Sequence, residues 1–132
     1  MLRFFNMFGR SSALIALDEA LRAAGLHPLL IPEPVKLTIL QLQRKYGTAP
    51  DLESGLALAA PLLAYCVLDS AQFTLVNGEE AAAATEARVI AAMDQGDTLD
   101  AKLILLALHS GVISEDMADR FELETGMADA PD

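Results

Sequence analysis

The chain has 132 residues, of which 53% are hydrophobic and 21% charged, with no tryptophan and a formal net charge of −10. That length suits one domain able to bury a core. The acidity keeps most of its surface away from nucleic acid and anionic membranes, and the single cysteine, Cys66, rules out an internal disulfide framework.

The charge is uneven along the chain. Residues 1–50 carry six Lys/Arg against three Asp/Glu, a balance of +3, and residues 51–132 carry three against sixteen, a balance of −13. Only the first third is expected to approach an anionic partner, and the two ends are suited to attract each other within one chain or between copies. With few aromatics, Leu, Ala, Ile and Val must fill the core, and such aliphatic, Ala-rich material favours helices.

Residues 1–10, MLRFFNMFGR, open the chain with three of its five phenylalanines. On a helical wheel Met1, Phe4, Phe5 and Phe8 fall on one side and Arg3, Asn6 and Arg10 on the other. Asn6 and Arg10 interrupt any apolar stretch, so a signal peptide is not expected. Eight to ten residues do not hold a helix alone in water. Burying six apolar side chains at about 2 kcal/mol each is offset by ordering eight residues at about 1.5 kcal/mol each. The segment therefore needs a groove: its own core, a second subunit, or, more weakly, a membrane surface. Met1, Leu2, Phe4, Phe5 and Phe8 are the candidate interface residues.

From Ser11 onward helix-period patterning dominates, and stop and start signals divide it into about six helices. Ser11 or Ser12 caps a first helix with Leu14, Leu17, Leu21 and Ala24 on one face. Gly25 ends it, with Leu26 in the apolar position of a Schellman motif. HPLLIPEP (27–34) is a proline-stiffened connector, and His27 stands where it can bond free carbonyls at the helix exit. Pro34 opens a second helix with the stripe Val35, Ile39, Leu42 and Tyr46, stopped by Gly47. TAPD (48–51) resembles a capping box, with Thr48 as cap. The segment after it runs to about Val76, with a kink or break expected at Pro61, and Asn77-Gly78 closes it.

Glu79 and Glu80 suit a helix N-terminus, and that helix continues towards Gly96. Asp97 or Thr98 caps the next, whose Leu99, Leu103, Ile104, Leu105, Leu106 and Leu108 mark a central buried element near 99–109. Gly111 ends it, and Ser114 caps a last short helix with Met117 and Phe121 on one face. The expected architecture is all-α, a compact bundle in a single domain over 1–124, followed by a flexible acidic tail at 125–132. The longest mostly apolar uncharged run, GLALAAPLLAYCVL (55–68), is too short for a membrane span.

Chemical signatures are sparse. Gly-rich phosphate loops, paired-histidine zinc motifs, nucleophile elbows and Cys-x-x-Cys pairs are all missing from the sequence. Asp94, Asp97 and Asp100 recur every three residues, whereas a calcium loop uses alternate positions, with glycine sixth and glutamate twelfth. The stretch from Ala107 to Phe121 has the spacing of a helix-turn-helix corner. Its second helix, however, carries Glu115, Asp116, Asp119, Glu122 and Glu124 against Arg120 alone, which disfavours DNA contact. Cys66, in an apolar run, is expected to be a buried, inert thiol. No cofactor, metal or catalytic residue is assigned.

The expected role is a non-enzymatic protein-interaction or assembly module, self-associating as a dimer or binding another protein, in the cytoplasm. The alternative is a module for an apolar small molecule, in a cavity that Pro61 opens between helices and that Leu56, Leu62, Tyr65 and Leu105 line. A small enzyme ranks third.

Overall fold

The computed structural model describes residues 11–123. The Phe-rich opening and the acidic tail lie outside the described residues. Of the described residues 77% are helical, in seven α-helices without strands. They are α1 (Ser12–Ala23), α2 (Glu33–Tyr46), α3 (Leu52–Val67), α4 (Ser70–Asn77), α5 (Glu79–Asp94), α6 (Leu99–Ser110) and α7 (Glu115–Arg120), with a 3-10 turn at Pro28–Leu30. No helix among the described residues is long and apolar enough to cross a membrane.

Local signals set most helix ends. Ser11 accepts the Leu14 N–H at 3.2 Å and starts α1. Gly25, at φ +88°, stops it, with the Leu26 N–H on the Leu21 carbonyl at 2.9 Å and the Gly25 N–H on Arg22 at 2.9 Å. Those two bonds define a Schellman motif. Gly111 repeats the arrangement at the end of α6, the Val112 N–H reaching the Ala107 carbonyl at 3.2 Å. Thr98 caps α6 and Ser114 caps α7. Leu14, Leu17, Leu21 and Ala24 are all buried, as their spacing requires.

Four expectations are corrected. The cap of α3 is Asp51 rather than Thr48: its carboxylate accepts the Ser54 N–H at 2.7 Å, and that bond holds the Asp51 carboxyl below its ordinary range. The helix does not break at Pro61 but continues to Val67. The break comes at Leu68, because Asp69 accepts the Gln72 N–H at 2.7 Å and nucleates α4. One expected segment thus becomes two helices, which makes seven rather than six. His27 accepts rather than donates, its Nδ1 taking the Leu29 N–H at 3.1 Å and capping the 3-10 turn.

The fourth correction concerns α2, whose buried residues are Lys36, Ile39, Leu40 and Gln43. Tyr46 is exposed and Val35 and Leu42 are half-buried, so the buried face is turned from the apolar stripe. Two polar side chains make that face possible. Lys36 reaches Asp18 of α1 at 3.0 Å, an ion pair that offsets the desolvation of the ammonium. Gln43 sits at the far end of the same face, against α3.

The centre of the bundle is α3, which packs against all six other α-helices and buries nine residues, from Gly55 to Cys66. Helix α6 packs on α2, α3 and α5 and buries Ala101, Leu103, Ile104, Ala107 and Leu108, while Leu105 stays 47% exposed. It is thus one-sided rather than enclosed all round. At the opposite end of the chain α7 is clasped onto the core. Met117 is buried, the Ser114 N–H reaches the Cys66 carbonyl at 2.8 Å, and the Asp116 carboxylate accepts the Ser70 N–H at 2.9 Å. Arg120 donates to the Tyr65 hydroxyl at 2.7 Å and to Glu86 at 3.1 Å.

Candidate functional site

A cleft of about 570 Å3 lies where the end of α2, the following loop, the first half of α3, Arg88 of α5 and the start of α6 meet. Its volume lies within the range of small-molecule sites, roughly 300–1,000 Å3. Leu58, Ala59, Leu99 and Leu103 supply apolar wall, and Gln43, Tyr46, Thr98, Arg88, Asp97 and Asp100 supply polar wall.

Arg88 organises one side. Its Nε and Nη2 donate to the two oxygens of Asp100 at 3.0 and 2.9 Å, a bidentate pair in which the two charges neutralise each other. Its Nη1 donates to the Leu58 carbonyl at 2.8 Å. Leu58 lies three residues before Pro61, where a proline disturbs the helical ladder. Arg88 thus ties α5 and α6 to the middle of α3 at the cleft wall.

Gln43 forms the other side. It is only 7% exposed, and its Oε1 is buried without a hydrogen-bond partner. A buried amide oxygen left unpaired costs about 1–3 kcal/mol. The space it occupies depends on two glycines: a Cβ at Gly55 or at Gly47 would run into the Gln43 amide nitrogen. Gly55 stands inside α3, where glycine is less favourable than alanine by about 1 kcal/mol. The chain gives up helix stability to seat this amide.

At the rim, the Tyr46 ring lies with Lys102 Nζ 4.6 Å and Lys45 Nζ 5.3 Å from its centroid. Thr98 Oγ1 is engaged as the α6 cap, accepting the Ala101 N–H at 3.1 Å. The lining described contains no serine, cysteine or histidine. The cleft walls thus combine apolar side chains with an internally neutralised ion pair.

The residues singled out from the sequence fall elsewhere. Met1, Leu2, Phe4, Phe5 and Phe8 lie outside the described residues. Leu56, Leu62 and Tyr65 are packed in the core, Tyr65 edge-on to Phe73 with centroids 5.2 Å apart. Leu105 lines a separate apolar hollow of about 150 Å3 with Met93, Ile104 and Leu123, so the four are not gathered around one cavity. Cys66 is buried, and burial pushes its thiol up to about 12. Among the described residues no group of three or more His, Cys, Asp or Glu side chains is placed to hold a metal ion. Gln43 lies off the apolar stripe expected for α2 and is not among the residues singled out from the sequence. The trace it left was Gly55, a glycine where a helix gains nothing from one.

A second surface feature lies at the end of α4. Leu75 is 85% exposed and Val76 is also exposed. Val76 packs on Gly25, and the Asn77 side-chain amide donates to the Ala24 carbonyl at 2.9 Å, so α4 ends against the turn that follows α1. In that turn Leu26, Pro28 and Ile31 are buried, and Leu29, 83% exposed, and Leu30 project outward. Four large aliphatic side chains thus stand in water at one corner of the molecule.

No family model, no curated protein and no solved structure matches this chain.

Proposed function

We propose that the protein is a non-catalytic contact module that associates with a second copy of itself through the apolar corner formed by Leu29, Leu30, Leu75 and Val76. The observation that carries this reading is that Leu75 and Leu29, at 85% and 83%, are the two most exposed large hydrophobic side chains among the described residues. Exposed aliphatic side chains grouped at one place mark interaction surfaces more than scattered ones do, and a two-fold pairing covers the same corner on both copies. A standard interface takes about 800 Å2 from each partner, more than four side chains supply. The reading therefore includes Met1, Leu2, Phe4, Phe5 and Phe8 as the remainder of the contact. A cytoplasmic setting belongs to the same reading.

Leu75→Glu tests it, because the side chain stands in solvent and its replacement leaves the core intact. Light scattering on the full chain is expected to give a dimer mass, and on the variant a monomer mass with unchanged helical circular dichroism. Removal of residues 1–9 is expected to weaken association. A lowered melting temperature at unchanged mass would instead assign those residues to the chain's own core. A parent chain that stays monomeric at high concentration contradicts the proposal.

A further inference from the structure

We propose that the apolar hollow between α5 and α6 seats the Phe-rich opening segment, residues 1–10, of a second copy of this chain. The proposal rests on the self-association reading and names where that segment goes. The wall of the hollow includes Ala92, Met93, Ala101, Ile104, Leu105 and Leu123, and its volume is about 150 Å3. An apolar space of about that size accepts a benzene ring, so it fits one phenyl group as an anchor. Met93 and Leu105 are 43% and 47% exposed, and Ile90, one turn earlier on α5, is 53% exposed. Apolar surface thus continues beyond the hollow along α5, as a groove for an amphipathic segment requires.

Charge decides between occupants. Exposed acids adjoin the wall in sequence: Asp94 follows Met93, Asp97 follows Gly96 and Glu122 precedes Leu123. The nearby cations are engaged elsewhere, Lys102 over the Tyr46 ring of α2 at 4.6 Å and Arg120 on Tyr65 and Glu86. An apolar hollow beside acids is complementary to an apolar segment that carries cations. Residues 1–10 have that make-up, with Met1, Phe4, Phe5 and Phe8 on one helical face, Arg3 and Arg10 opposite, and no acid. The other two phenylalanines are already placed in the fold, Phe73 buried and Phe121 half-buried.

The chain's own tail begins directly after Leu123 and is the nearer alternative. It carries Glu124, Asp129 and Asp132, and Met127 is its one large apolar side chain. The acids beside the hollow repel such a tail, and it brings no ring. The opening segment of the same chain leads into α1, which packs on α2 and α3, whereas the hollow is built from α5, α6 and the exit of α7. A second copy presents the segment from outside. Ten residues extend at most about 35 Å, enough to reach across a contact between copies, and a two-fold pairing fills both hollows.

The test mixes two preparations of the full chain at a concentration where light scattering gives the dimer mass. One is labelled with 15N; the other is unlabelled and carries a nitroxide on Asn6→Cys, on the polar side of the segment, with Cys66→Ala. The expected result is selective broadening of the Met93, Leu105 and Leu123 backbone signals, reversed when the nitroxide is reduced. A dimer whose broadening falls on other residues overturns this inference and leaves self-association standing. Broadening seen only when tag and label share one chain does the same, by placing the segment on its own copy. A monomer mass at the highest concentration overturns both. A charge exchange needs no change at Cys66. Arg3→Glu with Arg10→Glu is expected to weaken dimerisation about tenfold, and adding Asp94→Lys and Glu122→Lys to restore it to within about threefold of the parent. Unchanged affinity after the first pair, or no recovery after the second, overturns the inference.

Discussion

Cys66 shows how one side chain records the quality of the core. Its thiol lies on α3, the helix in contact with all the others, and burial pushes it up to about 12 from an ordinary value of 9.0. The sign follows directly. Between 9.0 and about 12 the unfolded chain loses this proton and the folded chain keeps it, so stability falls as pH rises through that window. The expected slope from this group approaches 1.4 kcal/mol per pH unit, on the order of one proton released on unfolding. Urea titrations of the protein and of Cys66→Ala at several alkaline pH values isolate it, since the variant lacks the component. Below that window the native thiol is expected to react with a disulfide reagent only as fast as the protein opens. Rapid labelling without denaturant would show that the site is accessible. Lys36 and Gln43 make the complementary point: each is polar and buried, and each marks a place where α2 departs from its apolar stripe.

At the scale of the element, helix ends were legible and the buried face of α2 was not. Ser11, Gly25, Gly111 and Ser114 act through bonds to residues a few positions away, and such chemistry is written locally. Asp51 displaced Thr48 because both fit a cap pattern, and the carboxylate has the Ser54 N–H in reach. Pro61 was expected to kink or break α3, and the helix runs through it unbroken, with Arg88 bound to a neighbouring carbonyl. That bond spans 30 residues, and no local pattern announces it. The same reasoning predicts that Pro61→Ala, which restores an N–H for the Ala57 carbonyl, raises stability by about 1–3 kcal/mol, read as an increase in the urea midpoint. An unchanged or lowered midpoint would mean that the proline is better accommodated than its missing donor implies. The candidate site was illegible for a similar reason. Gln43, Gly55, Arg88 and Asp100 come from four helices, and only the fold brings them to one cleft.

For the whole molecule, greasy composition and strong acidity have separate consequences. Aliphatic residues fill a core around α3, and the two most exposed of the surplus, Leu29 and Leu75, lie in the turn after α1 and on α4. The acidic second half puts carboxylates to structural use as well: Asp51 and Asp69 cap helices, Asp100 holds Arg88, and Asp116 ties α7 to α4. Caps and ion pairs give these four carboxylates a structural role. What they leave unexplained is why four aliphatic side chains stand uncovered beside one turn. Self-association answers that, and it is most directly tested by sedimentation equilibrium of the full chain over a wide concentration range. The account predicts a mass that rises from 14.1 kDa towards twice that value and stops there, as a closed two-fold contact requires. A mass that remains at 14.1 kDa at the highest concentration, or climbs without limit, contradicts it.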